Sequence, residues 1–80
     1  MTKGNFDYTR LRRLLRLNRL IYDVVAWETG ISVGYLNRIA RGNILEVKNS
    51  KKRNCLRDYI TKLEKDTLKK HKVKSLEDIE

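Results

Sequence analysis

Arginine is the side chain with which this sequence is best equipped to do chemistry. All nine arginines fall before residue 58, and four of them, Arg12, Arg13, Arg16 and Arg19, recur at helical spacing. A guanidinium is a flat fork of donors that matches the oxygens of a phosphate and the O6 and N7 edge of guanine. Up to Arg57 thirteen basic residues stand against four acids, which already makes the whole net charge of +9, whereas from Asp58 onward six lysines meet six acids. That distribution implies a polyanion bound by the first part of the chain and a screened, solvated surface over the rest. Nucleic acid is the first candidate and an anionic membrane surface the second.

Other chemistries find little to work with. The single Cys55 and the single His71 cannot complete a Cys/His metal cage. No histidine stands in sequence context to activate the thiol, so Cys55 reads as a small buried hydrophobe. Glu77, Asp78 and Glu80 read as an acidic, solubilising terminus rather than as paired catalytic carboxylates, and no glycine loop that would cradle a phosphate is present. Eighty residues make one domain, too small to wrap a deep substrate cavity around its own core. Catalysis, a cofactor and a small-molecule substrate are therefore not expected. The apolar runs, such as Val24 to Trp27, fall far short of the ~18 residues that a membrane span takes. The segment from Met1 to Tyr8 lacks the apolar core of a secretory signal. A cytoplasmic location follows, on the nucleoid when bound to DNA.

The elements that must position the arginines are helical. The chain has no proline, its four glycines lie at 4, 30, 34 and 42, and no stretch alternates as a strand of useful length would. A first helix is expected over about Tyr8 to Arg19, capped by Asn5 or Asp7, with Leu11, Leu14 and Leu15 on one face and the arginines on the other. A second, about Ile21 to Thr29, buries Val25 and Ala26 and ends at Gly30, where a positive φ is easiest for glycine. Ser32 caps a third helix that ends near Arg41, with Gly42 closing it. The connector from Ile44 to Asn49 can pin itself to the core through Ile44, Leu45 or Val47. Ser50 caps a fourth helix whose stripe of Cys55, Leu56, Tyr59, Ile60 and Leu63 carries it at least to Leu63. Trp27 is read as a core or helix-packing residue. The resulting division is a domain over residues 1–70 and a charged tail over 71–80 that frays at its end.

Two short helices joined by about three residues containing a glycine make a helix-turn-helix unit, here residues 22–41. Ala26 allows the close crossing, Gly30 supplies the turn, Ile31 plugs the gap beneath it, and Leu36 and Ile39 form the buried face of the second helix. These residues, with Val25, Ser32 and Gly42, resemble the helix-turn-helix of the Cro/Xre, lambda-repressor-like family. Leu11-Arg12-Arg13-Leu14 is similar to the helix that precedes it there, and the likeness covers about residues 8–63. The entry to the unit differs. Where the family usually places a Gly, a Thr and a Gln, this chain has Arg19, Leu20, Ile21 and Tyr22, so Tyr22 would offer a hydroxyl for the phosphate contact.

The resemblance implies an all-α, compact domain of four to five helices that binds double-stranded DNA. It also implies DNA-facing roles for Val33, Gly34 and Arg38, with Tyr35 and Arg41 near the phosphates. On the helical wheel Val33, Gly34, Asn37, Arg38 and Arg41 lie opposite the buried side. Arg38 can pair with guanine, Asn37 with adenine, and Val33 can touch a thymine methyl. Ser32 starts this reading helix, and Gly34 lets it approach the groove closely. Arg12, Arg13, Arg16, Arg19, Lys48, Lys51, Lys52 and Arg53 would hold the phosphate backbone. Tyr22 and Tyr35 read equally as phosphate contacts or as edges of the core.

The expected function is a transcriptional regulator, a repressor by the resemblance, working as a homodimer on a palindromic site in a phage or mobile-element setting. The alternatives are an accessory DNA-binding protein in recombination or partition, and a protein-binding module such as an antitoxin or a phage inhibitor. RNA is disfavoured because no exposed aromatic platform is evident. On this reading Arg38→Ala relaxes discrimination at one base pair, while Arg13→Ala weakens all duplexes alike.

Overall fold

The computed structural model describes residues 6–44 and 46–79, so Asn5 as a cap, Leu45 as a core residue and Glu80 in the acidic terminus lie outside the described residues. Among the described residues there is no strand. The order is α1 (Arg10–Leu17), α2 (Tyr22–Thr29), α3 (Val33–Ala40), α4 (Ser50–His71) and a short 3₁₀ turn, Leu76–Asp78. The radius of gyration, 12.3 Å, is close to the ~12 Å of a compact chain of this length. No helix among the described residues is long and apolar enough to cross a membrane.

The core is built as the leucine and isoleucine spacing requires. Leu11, Leu14 and Leu15 of α1 meet Val25 of α2, Leu36, Ile39 and Ala40 of α3, and Leu56 and Ile60 of α4. Ile31 is buried in the turn between α2 and α3, and Val47 pins the connector. Helix α2 packs on both α3 and α4, and α1 packs on α4 and α3. Each fully buried aliphatic side chain contributes about 1.5–3 kcal/mol relative to exposure, so this one cluster dominates the fold.

Helix ends follow the expected chemistry in some places and not in others. Gly30 and Gly42 adopt φ of +74° and +87°. The Asn43 amide donates back to the Arg38 carbonyl at 2.9 Å, and Ser32 Oγ accepts from the Tyr35 amide at 3.3 Å. Helix α1 begins later than expected, because the Asp7 carboxylate accepts from the Thr9 amide and hydroxyl and holds a turn ahead of the helix instead of capping it. The cap of α4 is Asn49, whose side chain accepts from the Lys52 amide at 3.0 Å, and Ser50 is already helical. Arg19 takes φ +55° at the end of α1, a left-handed conformation more usual for glycine. The Leu20 amide there donates to the Leu15 carbonyl at 2.8 Å.

Two expectations about the core are overturned. Trp27 is 87% exposed, because the buried arc of α2 is set by Val25 and Thr29, and Trp27 falls on the far side of it. Cys55 is exposed as well. The stripe of α4 is centred on Leu56, Ile60, Leu63 and Thr67, and Cys55 lies about 110° away from that centre. Thr67 is fully buried, donates to the Leu63 carbonyl at 2.7 Å and accepts from Asn18 Nδ2 at 2.9 Å, which ties α1 to α4. The tail returns to the core. Leu76 and Ile79 are buried, and Arg13 Nη2 donates to the Ile79 carbonyl at 2.8 Å.

A polar clasp holds the connector. Tyr8 Oη donates to Glu46, Arg57 Nε donates to Tyr8 Oη at 3.0 Å, and Arg57 pairs with Glu46. Burial pushes the Glu46 carboxyl up, but hydrogen bonds from Tyr8, the Val47 amide and Arg57, with the Arg57 charge, outweigh this and hold it below the ordinary range. Burial, helped by the bond to Glu46, pushes the Tyr8 phenol up. Arg10 pairs with Glu64, and both Arg10 and Arg57 lie over the Phe6 ring, at 4.5 and 5.6 Å from its centroid.

Candidate nucleic-acid interface

Six basic side chains line two grooves that border the ends of α3. The first, of about 700 Å³, is lined by Arg12, Arg13 and Arg16 of α1, Tyr22 at the start of α2, and Arg41 just past α3, with Leu15, Leu20 and Ile21 among its apolar walls. It forms because α1 turns its leucines inward, which leaves the arginines at 12 and 16 exposed on the opposite side. Burial pushes the Tyr22 phenol up, and the charges of Arg12 and Arg41 pull against that shift. Tyr22 is, like any phenol at neutral pH, a neutral hydroxyl donor, here set among guanidinium groups.

The second groove, of about 580 Å³, runs between the α2–α3 turn and the connector, with Ala26, Ile31, Tyr35 and Val47 as its apolar wall and Lys48 and Lys52 at its side. Ser32 and Asn49, the capping residues of α3 and α4, also line it. The positive dipole ends of two helices therefore lie beside the lysines of this groove.

Helix α3 joins the two. Its N-terminal end borders the lysine groove and its C-terminal end the arginine groove, about 12 Å apart for eight residues. Between them Val33, Gly34 and Arg38 are exposed and Asn37 is half-buried, while Leu36 and Ile39 are fully buried. A Cβ built on Gly34 meets nothing within 4 Å, so no neighbour in the fold requires glycine at that position. Ser32 is exposed at the start of the helix, with its Oγ engaged as the cap.

Not every residue expected here is free to act. Arg13 is half-buried and spends part of its guanidinium on the tail, so Arg13→Ala would disturb the docking of Ile79 as well as any phosphate contact. Tyr35 is half-buried, and its hydroxyl donates to the Glu46 carbonyl in a long bond of 3.4 Å that reaches toward the connector. Arg19 is exposed in the turn after α1, outside the lining of either groove, and so are Lys51, exposed, and Arg53, half-buried, on the first turn of α4. Sequence reasoning missed Asn49, whose signal was an Asn three residues ahead of Lys52 at the start of a helix. It also missed Thr29, which donates to the Val25 carbonyl at 2.7 Å and accepts from the Ile31 amide at 3.3 Å, closing the turn.

Among the described residues no group of three His, Cys, Asp or Glu side chains is placed to hold a metal ion. Comparison of the chain with family models, with curated proteins and with solved structures finds no match.

Proposed function

We propose that the chain is a sequence-specific double-stranded DNA-binding regulator with a lambda-repressor-like helix-turn-helix, in which α3 enters the major groove. The observation that carries this reading is the exposed face of α3, with a glycine that nothing in the fold requires, set between an arginine groove and a lysine groove. Arg38, Asn37 and Val33 read base edges, and Gly34 brings the backbone close to them. Arg12, Arg16, Tyr22 and Arg41 grip phosphates at one end of the helix, and Lys48, Lys52 and the two helix N-termini grip them at the other. Such contacts position without specifying and make affinity fall steeply with salt. One α3 touches too few base pairs for tight discrimination, so the working unit is a homodimer on an inverted repeat with half-sites about one helical turn apart.

The test is selection of bound duplexes from a random pool at physiological and at raised salt. An enriched inverted repeat is the expected result. Salt-sensitive capture with no enriched motif would replace the reading by a non-specific architectural role, and no capture at either salt would end it.

A further inference from the structure

Trp27 is 87% exposed, and with Val24 at 38% it forms an apolar ridge on the outer side of α2. Turning about 100° per residue, the side chains of Val25, Thr29, Tyr22 and Ala26 share the inner arc of the helix. On the outer side Asp23, Trp27, Val24 and Glu28 follow one another in that order over about 140°. A carboxylate thus edges the ridge on each side, and α2 carries no lysine or arginine in a chain of net charge +9. Beyond Glu28 the surface continues into a groove of about 460 Å³ against α4, lined by Tyr59, Lys62, Leu63 and Asp66. Among the described residues Asp23, Glu28 and Asp66 make no ion pair, whereas Glu46 and Glu64 do.

Contiguous exposed apolar side chains mark an interaction site, and the charges around them choose the occupant. Nucleic acid is repelled by acids at both edges. A second copy laid ridge to ridge sets the α2 carboxylates of one chain against those of the other, with only Lys62, across the groove beyond Glu28, to offset them. What fits is a cation carried on an aliphatic stem. Arginine and lysine pair with carboxylates, and they lie favourably over an indole face. We propose that the outer side of α2, with the groove against α4, is a docking site for a basic protein segment. Its Arg or Lys side chains pair with Asp23 and Glu28 and cover Trp27, and an aliphatic side chain enters the groove between Tyr59 and Leu63. The proposal does not rest on the DNA-binding reading.

The experiment pans a phage-displayed library of random dodecapeptides against the full chain at physiological salt. Synthetic versions of the enriched peptides are then titrated while the emission of Trp27, the one tryptophan of the chain, is followed. Enriched peptides should be basic with at least one large aliphatic residue, should shift the Trp27 emission, and should bind Trp27→Ala and Asp23→Lys about tenfold or more weakly. Trp27→Ala should melt with the wild type, since its side chain is exposed, and neither variant should lose duplex binding, which separates this idea from the DNA reading. Enrichment of acidic peptides, equal binding to Trp27→Ala, or no enrichment overturns the proposal. A wild-type dimer in sedimentation that Trp27→Ala dissolves also overturns it, in favour of a second copy.

Discussion

Gly34 separates what the fold needs from what a ligand would need. Glycine inside a helix costs about 1 kcal/mol relative to alanine, and the space beside Gly34 is open. Gly34→Ala should therefore stabilise the chain by about 0.5–1 kcal/mol, a rise in Tm of several degrees for a domain this small. If α3 lies against DNA, the added methyl should at the same time weaken duplex binding. A thermal melt and a binding isotherm on the same sample check both halves, and a Gly34→Ala variant that is more stable and binds equally well would show that Gly34 serves no close approach. The arginines divide in a similar way. Arg38→Ala should lose about 1–3 kcal/mol of discrimination at one base pair, read by competition with single-site duplex variants. Arg12→Ala should weaken every duplex alike and flatten the salt slope. Arg12 is the better probe than Arg13 because it is exposed, whereas Arg13 also holds the Ile79 carbonyl.

At the scale of elements, the caps of α4 give a direct comparison. Asn49 accepts from the Lys52 amide, and Ser50 makes no capping bond. Asn49→Ala should cost about 1 kcal/mol and Ser50→Ala no more than a few tenths, measured by denaturant midpoints at constant slope. Ser, Asp and Asn are close to interchangeable as caps, so composition alone cannot choose between adjacent positions 49 and 50. The same limit governs what was legible elsewhere. Helices α1 and α3 could be read because their apolar residues are aliphatic and regularly spaced, and Gly30 and Gly42 could be read because a positive φ suits little else. Helix α2 hid its inner face, because Thr29 takes a core position by bonding its hydroxyl to the Val25 carbonyl while Val24 and Trp27 stay outside. Thr67 does the same in α4, where it prolongs the stripe of Leu56, Ile60 and Leu63 while Cys55, about 110° from the centre, stays exposed. A threonine that satisfies its own hydroxyl on the preceding turn looks polar in the sequence and behaves as apolar in the fold. The arginine groove was legible only in part. The spacing of Arg12 and Arg16 showed a basic face on α1, but that Arg41 and Tyr22 join it depends on how α2 and α3 pack, which no local pattern encodes.

For the whole molecule, the titrating groups bound a pH window and the net charge sets a salt response. The Glu46 carboxyl is held low in the fold, so its contribution is fully present above the unfolded value near ~4.3 and is lost as pH falls through the folded one. The Glu46 side chain is 38% exposed, which limits the effect to at most about 1 kcal/mol. Burial pushes the phenols of Tyr8, Tyr22 and Tyr59 up, so the fold prefers their neutral forms. Their contribution is fully present below about 10 and is lost as pH rises through the folded values. Melts across pH should show a plateau between these limits, with Glu46→Gln removing part of the acid-side loss; an unchanged acid limb in Glu46→Gln would show that the clasp adds no stability.

Salt should then act in opposite directions on folding and on binding. At ~10 mM ionic strength the screening length is about 30 Å, comparable with the 34 × 33 × 20 Å molecule, so every positive charge feels nearly every other. At ~150 mM it is about 8 Å, and repulsion survives only between near neighbours such as those lining the arginine groove. Salt also screens the Arg10–Glu64 and Arg57–Glu46 pairs, but each is partly exposed and contributes about 0–1 kcal/mol, and two such pairs are outweighed by relief of a net charge of +9. The melting temperature of the free chain should therefore rise between these two salt concentrations while its affinity for any duplex falls. A melting temperature that fell with salt would mean that the ion pairs outweigh the repulsion. An affinity indifferent to salt would mean that the arginine and lysine grooves do not hold phosphates, whatever α3 reads.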